Sequence, residues 1–227
     1  MVHYTRMNIL GLSYMYHDSA ACLCRDGAVV AAAAEERFSR ARHSLDFPAR
    51  AIDYCLREGG ISPREISAVA FYEKPLLKFE RILKTHLAVF PRSWRSYKTF
   101  LPMWLRQKLW VPQMIRERLG AEVPTYFVDH HYAHAASAFL PSPFEKSLIL
   151  TLDGTGEWST LACGLGEGNS IRLDKDIRFP HSLGLLYSAV TAHLGFEVNH
   201  GEGTVMGLAA WGKPSFLRQL REVVDIK

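Results

Sequence analysis

Two stretches of this chain follow one plan, three short strand-like runs and then a helix, and that repetition restricts the fold more than any other feature. In the first stretch Asn8–Tyr14, Ala20–Cys24 and Ala28–Ala34 read as strands. Asp26-Gly27 makes the second connection a hairpin, because this dipeptide tolerates the positive φ angles of a two-residue turn. Pro48 then opens a helix whose Ala51, Ile52, Cys55 and Leu56 share one face, and Gly59-Gly60 ends it. A strand at Ala68–Tyr72, a basic helical segment, a strand at Thr125–Val128 and a helix from His130 to Leu140 follow. The second stretch has a buried strand at Ser147–Leu152, strands at Ser159–Leu165 and Ile171–Ile177, and a helix at Leu183–Leu194. A polar helix is expected at Ser215–Val224.

A hairpin-led sheet plus helix, used twice, predicts an α/β fold of the ribonuclease-H-like kind found in duplicated form in actin and sugar kinases. The first subdomain spans 7–145, with a helical insertion at about 74–122; the second, 146–227, is expected to be incomplete. A chain of 227 residues, 48% hydrophobic and 22% charged, can bury a core unaided, which excludes extended disorder and coiled coil. No apolar run approaches the ~20 residues of a membrane-spanning helix, and the start lacks a basic-then-apolar leader. The four cysteines form no C-x-x-C pair, so they read as reduced thiols in a cytoplasmic protein.

Charge is uneven. Lys74–Arg118 holds eleven Lys/Arg and two acids, in a chain whose net charge is +4, and it contains Trp94, Trp104 and Trp110 with prolines at 75, 91, 102 and 112 cutting it into short pieces. Such a segment packs its aromatics inward with its charges solvated, or else offers a surface to an anionic ligand or nucleic acid. The first of these is the main expectation.

The sharpest local feature is Asp129-His130-His131-Tyr132-Ala133-His134. Four residues apart on a helix, His130 and His134 can aim at one metal ion. Residue 131 is histidine, where a zinc peptidase of H-E-x-x-H type needs glutamate, so that mechanism is disfavoured. Asp153, at the tip of a strand before Gly154-Thr155-Gly156, is the expected third ligand, and the loop is expected to cradle phosphate oxygens. Two imidazoles and a carboxylate suit iron, manganese or zinc. The corresponding loop of the first half carries His17 and Asp18, either a general base with its positioning carboxylate or an Asp-Ser turn with a surface histidine. Glu35–Arg40 with Arg42-His43 is an anion clamp or a solvated loop. Gly201 and Gly203, entering a helix, are candidates for holding an anion.

Taken together, YHDSAACLCRDGAVVAAAAEERFSRARH, DHHYAHAASAF, TLDGTGEW and GEGTVMGLAAWGKP resemble the O-carbamoyltransferases of nodulation and antibiotic tailoring, in order across nearly the whole chain. That resemblance implies an actin-like domain followed by a YrdC-like domain that would lie beyond Lys227. It implies that ATP and carbamoyl phosphate yield carbamoyl-adenylate, whose carbamoyl group passes to a hydroxyl of a small, sugar-like acceptor. His130, His134 and Asp153 match its metal-ligand positions, with iron the leading ion, and His17 matches a histidine of the transfer site. Thr204 stands where many relatives carry lysine, and the chain alone is expected to be inactive. Three other readings remain: a non-haem iron enzyme, a partner-dependent subunit or homo-oligomer, and a relative that transfers threonylcarbamoyl to tRNA. Nucleic-acid binding is otherwise not expected.

Overall fold

The computed structural model describes residues 6–16, 18–222 and 224. Strands β1 (Asn8–Ser13), β2 (Ala20–Arg25) and β3 (Ala28–Ala34) form an antiparallel meander, as the alternation of the sequence requires. Asp26 and Gly27 both take positive φ, 51° and 84°, which turns the hairpin with the hand of the strands. After a short helix α1 (Glu36–Ser39), helix α2 (Ala49–Gly59) crosses over the sheet and returns the chain to β4 (Ala68–Phe71), parallel to β1. The four residues expected on its apolar face are the four it buries. They pack with Leu10, Leu12, Leu23, Val69 and Phe71 of the sheet.

The insertion comprises α3 (Pro75–Ala88), α4 (Trp94–Arg106) and α5 (Val111–Leu119), and leads to β5 (Thr125–Phe127), parallel to β4. The sheet order β3-β2-β1-β4-β5, with only β2 antiparallel to its neighbours, is the ribonuclease-H-like arrangement. α5 is no appendage: Val111, Ile115 and Leu119 join the same core. Prolines 75 and 112 sit in the first turns of α3 and α5, where a missing N–H costs nothing, but Pro102 lies inside α4 and does not divide it.

Helix α6 (His130–Phe139) leaves the first sheet and packs on the second, formed by β6 (Lys146–Leu152), β7 (Ser159–Glu167) and β8 (Ser170–Arg178) in antiparallel order. Ala135 and Phe139 of the helix and Ile149 and Ile171 of the sheet make this second, smaller core. The expectation that β6 is buried on both faces is corrected here. Ile149 and Thr151 face α6, whereas Leu148 is 77% exposed and Leu150 and Leu152 are open beside it. Helices α7 (Leu183–His193) and α8 (Glu202–Ala209) follow, and the polar helix expected at the end is only a single turn, α9 (Leu217–Leu220).

Candidate metal centre

The site is built where α6 begins and β6 ends. Asp129 caps α6, its carboxylate accepting the Tyr132 N–H at 3.3 Å, so His130 and His134 occupy consecutive turns of one helix face. Asp153 follows the last residue of β6 and is held by its N–H bond to the Thr160 carbonyl (2.9 Å). His130 Nε2 lies 2.6 Å from Asp153 Oδ2 and 3.1 Å from His134 Nε2, and His134 Nε2 is 3.9 Å from the same carboxylate oxygen. All three donor atoms fall within 4.8 Å of one another. Burial pushes the Asp153 carboxyl up, but the hydrogen bond with His130 and the nearby His134 imidazole outweigh it and hold the group far below the usual carboxylate range. The neighbouring Asp153 carboxylate, against the opposing pull of burial, raises His134. An anionic oxygen facing two imidazole nitrogens is a donor set that fits a divalent transition metal.

His131 turns away from this cluster. Only 1% exposed, it places Nε2 2.9 Å from the Ser159 carbonyl and Nδ1 2.7 Å from the Thr151 hydroxyl. A carbonyl only accepts, so Nε2 carries the hydrogen and, in the neutral ring, Nδ1 accepts from Thr151. Glu157, buried and absent from the sequence expectations, accepts the N–H of His130 (3.2 Å) and of Lys74 (2.7 Å), tying the starts of α6 and of the insertion to the loop after β6. Gly156 is small for a reason: a β-carbon there would sit 3.1 Å from the His130 ring.

A cavity of about 680 Å³ opens over the cluster, lined by His130, His134, Asp153, Asp18, Tyr16, Tyr72 and Lys78, and by Asn199 and Glu202 from the second half. Asp18, with φ of 52°, has its Oδ1 2.9 Å from His43 Nδ1, and the His43 ring meets His200 edge-on at 4.2 Å across the two halves. The candidate His17 lies outside the described residues.

The glycine-rich segments behave differently from expectation. Gly154 and Thr155 line the cavity, but the Gly154 N–H bonds to Asp153 Oδ1 (2.6 Å) and the Gly156 N–H to the Ser159 carbonyl (2.9 Å). Those two donors are already engaged inside the loop, which leaves Thr155 as the residue of the expected cradle that they do not account for. Gly201 and Gly203 do not line the cavity either. Gly201 is required because a β-carbon would overlap Phe196 at 2.5 Å, and the N-terminus of α8 already has its anion: the Glu202 carboxylate accepts from the Asn199 N–H (3.1 Å) and the Ser188 hydroxyl (2.7 Å).

Sequence reasoning also misjudged the basic segment. Phe100 and Trp104 are buried, but Trp94 and Trp110 are about half exposed. Helix α3 buries Pro75, Lys78 and Arg81 while Leu76, Leu77 and Leu87 face outward, and it packs Phe79 on Phe100 and Trp104. Its cations meet the second half directly, Arg81 over the Phe179 ring and Lys84 over Trp158. Periodicity counts apolar positions, so it carried no signal that a helix would face inward through its charges.

The sequence profile of the carbamoyltransferase N-terminus matches residues 8–226. This chain belongs to that family. It is 47% identical to the uncharacterized protein sll1178 of Synechocystis over 97% of this chain and 37% of that protein. It is 37% identical to the nodulation protein NolNO of Sinorhizobium fredii over 91% of this chain and 29% of the relative. The chain therefore spans about a third of the length of these curated family relatives. Among solved structures, YeaZ from Pseudomonas aeruginosa is similar at 15% identity and a TM-score of 0.44, covering 77% of this chain and 68% of its own. No helix among the described residues is long and apolar enough to cross a membrane.

Proposed function

We propose that this chain supplies the carbamoyl-transfer site of a carbamoyltransferase, with His130, His134 and Asp153 as metal ligands. The observation that carries the reading is the convergence of those three donors at the floor of a cavity large enough for a small-molecule substrate. Membership of the carbamoyltransferase N-terminus family supports it.

In this reading the donor is carbamoyl-adenylate, formed from ATP and carbamoyl phosphate, and the acceptor is a hydroxyl of a sugar-like compound. The acceptor oxygen forms a bond to the carbamoyl carbon as its proton passes to a base, and the bond from that carbon to the phosphate oxygen breaks, releasing AMP. His17 is the proposed base and Asp18, which pairs with His43, its proposed positioning carboxylate. A divalent ion, iron first among the candidates, would supply positive charge to the phosphate as it leaves. Asp153 keeps its carboxylate ionised and ready to ligate, and the Asp129 cap fixes the register that lets both histidines reach it.

The test uses the full-length native protein. His134→Ala should release the metal and stop carbamoyl transfer, while His17→Ala should retain metal and still stop transfer. Full transfer with either variant would remove that residue from the scheme. Binding of tRNA that weakens steeply with salt would instead favour the threonylcarbamoyl relative.

A further inference from the structure

Helix α3 spends stability in an unusual way. Lys78 is 7% exposed on a helix that leaves Leu76 71% exposed, the reverse of what burial energetics favour. Its ammonium is paired with Glu73 at 2.5 Å and lies 4.7 Å from the centre of the Tyr16 ring. Taking an ion pair out of water carries a desolvation cost, and an apolar pair of the same volume is often as stable or more so. Stability therefore gives little reason for Lys78 to be here. Its position does, because it lines the cavity over the metal centre. The other charged residues described in that lining are Asp18, Asp153 and Glu202, besides the two histidines. Lys78 is the one Lys or Arg among the described lining residues. Without it, three carboxylates would face any anion that entered.

We propose that Lys78 is the phosphate-binding residue of this cavity, and that the basic insertion is there to deliver it. An ammonium carries three donors, of which Glu73 takes one, and Tyr16 and Glu73 hold the group at the wall while its remaining donors are turned to phosphate oxygens. Arg81, one turn further along and stacked on Phe179, anchors α3 to the second half and so sets the depth of Lys78. The ligand is a phosphate-bearing acyl donor, either the free acyl phosphate or its adenylate, and the inference rests on the carbamoyl-transfer reading above.

The experiment is calorimetric titration of the full-length native protein with AMP, adenosine and carbamoyl phosphate. Lys78→Met should weaken the phosphate-bearing ligand by about 10- to 100-fold, as expected for a lost charge-assisted hydrogen bond, and leave adenosine and metal content unchanged. Lys78→Arg should recover most of the affinity. Whichever of AMP and carbamoyl phosphate responds identifies the source of the phosphate. Because Lys78→Met strands Glu73, the double variant Glu73→Gln/Lys78→Met is measured alongside to separate misfolding from lost binding. A folded double variant that binds both phosphates as the unaltered protein does overturns the role of Lys78 alone. An unaltered protein that binds neither overturns the carbamoyl-transfer reading and this inference with it.

Discussion

His130, His131 and His134 are neighbours in sequence and do different jobs, because a helix sends positions i and i+4 one way and i+1 another. His131 is a buried core residue with two hydrogen bonds, to Thr151 and Ser159. His131→Ala should cost about 2–4 kcal/mol by urea denaturation, from the cavity left in the core and the loss of the two hydrogen bonds, although the Thr151 hydroxyl keeps the Ala162 carbonyl as a partner. It should leave the metal content of the chain intact. His134→Ala is expected to do the opposite, since the ring is half exposed and its only strong partners are the other ligands. A second residue-scale prediction concerns Cys22, whose thiol is pushed up to about 12 by burial and then by the adjacent Cys24. Folding holds that proton, so the unfolded chain releases it first. The contribution to stability is full below the unfolded value of about 9 and is lost as pH rises toward 12. Iodoacetamide at pH 8 should therefore label Cys22 in urea but not in the native protein; equal rates would show the thiol to be accessible.

At the scale of elements, α4 and α6 make separable predictions. Pro102 sits exposed inside α4, where it removes a helical hydrogen bond and crowds the preceding turn. Nothing in the structure explains its presence, and Pro102→Ala should raise the melting temperature of the chain by a few degrees, corresponding to roughly 1–3 kcal/mol. α6 carries the two proposed histidine ligands and part of the core of the second sheet. Phe139→Ala should cost about 3–5 kcal/mol and, by loosening the helix against β6, weaken metal retention measured by competition with a chelator. Metal affinity unchanged in that variant would mean that the ligands are held by the first half alone. α6 is also the element that blurs the division at residue 145: it precedes that boundary in sequence, yet it forms the second core with β6 and β8.

For the whole molecule, the two halves differ in how much apolar surface they close. The first has a large core with members from the sheet, α2 and α5, whereas the second leaves Leu148, Leu150 and Leu152 open on β6, with Trp211 89% exposed and Met206 and Phe216 open further along. On β6, Leu148 and Leu150 alternate onto one open face of the strand, while Leu152 lines the cavity. Sedimentation of the isolated chain should show self-association that Leu148→Lys/Leu150→Lys reduces; a monomer in both cases would mean that the face is tolerated bare. SLILTL was expected as a buried strand, and the structure packs only the face that carries Ile149 and Thr151.

What the sequence determined by itself is whatever depends on neighbours within a few positions. The three-strand meanders, the Asp-Gly turn, the face of α2 and the His130–His134 pair all follow from spacing and turn chemistry, and all are present. The placing of Asp153 beside that pair was expected from its position at a strand tip before a glycine-rich loop, and the three donor atoms do converge. Only the tertiary structure could decide the rest. Glu157 matters because it receives two N–H groups from segments 27 and 83 residues away. Lys78 is placed at the cavity because α3 buries it beside Glu73, and the Gly154 and Gly156 N–H groups close on Asp153 and Ser159. In each case, whether a polar group is spent on the fold or kept for a ligand depends on what the packed chain brings within hydrogen-bond reach.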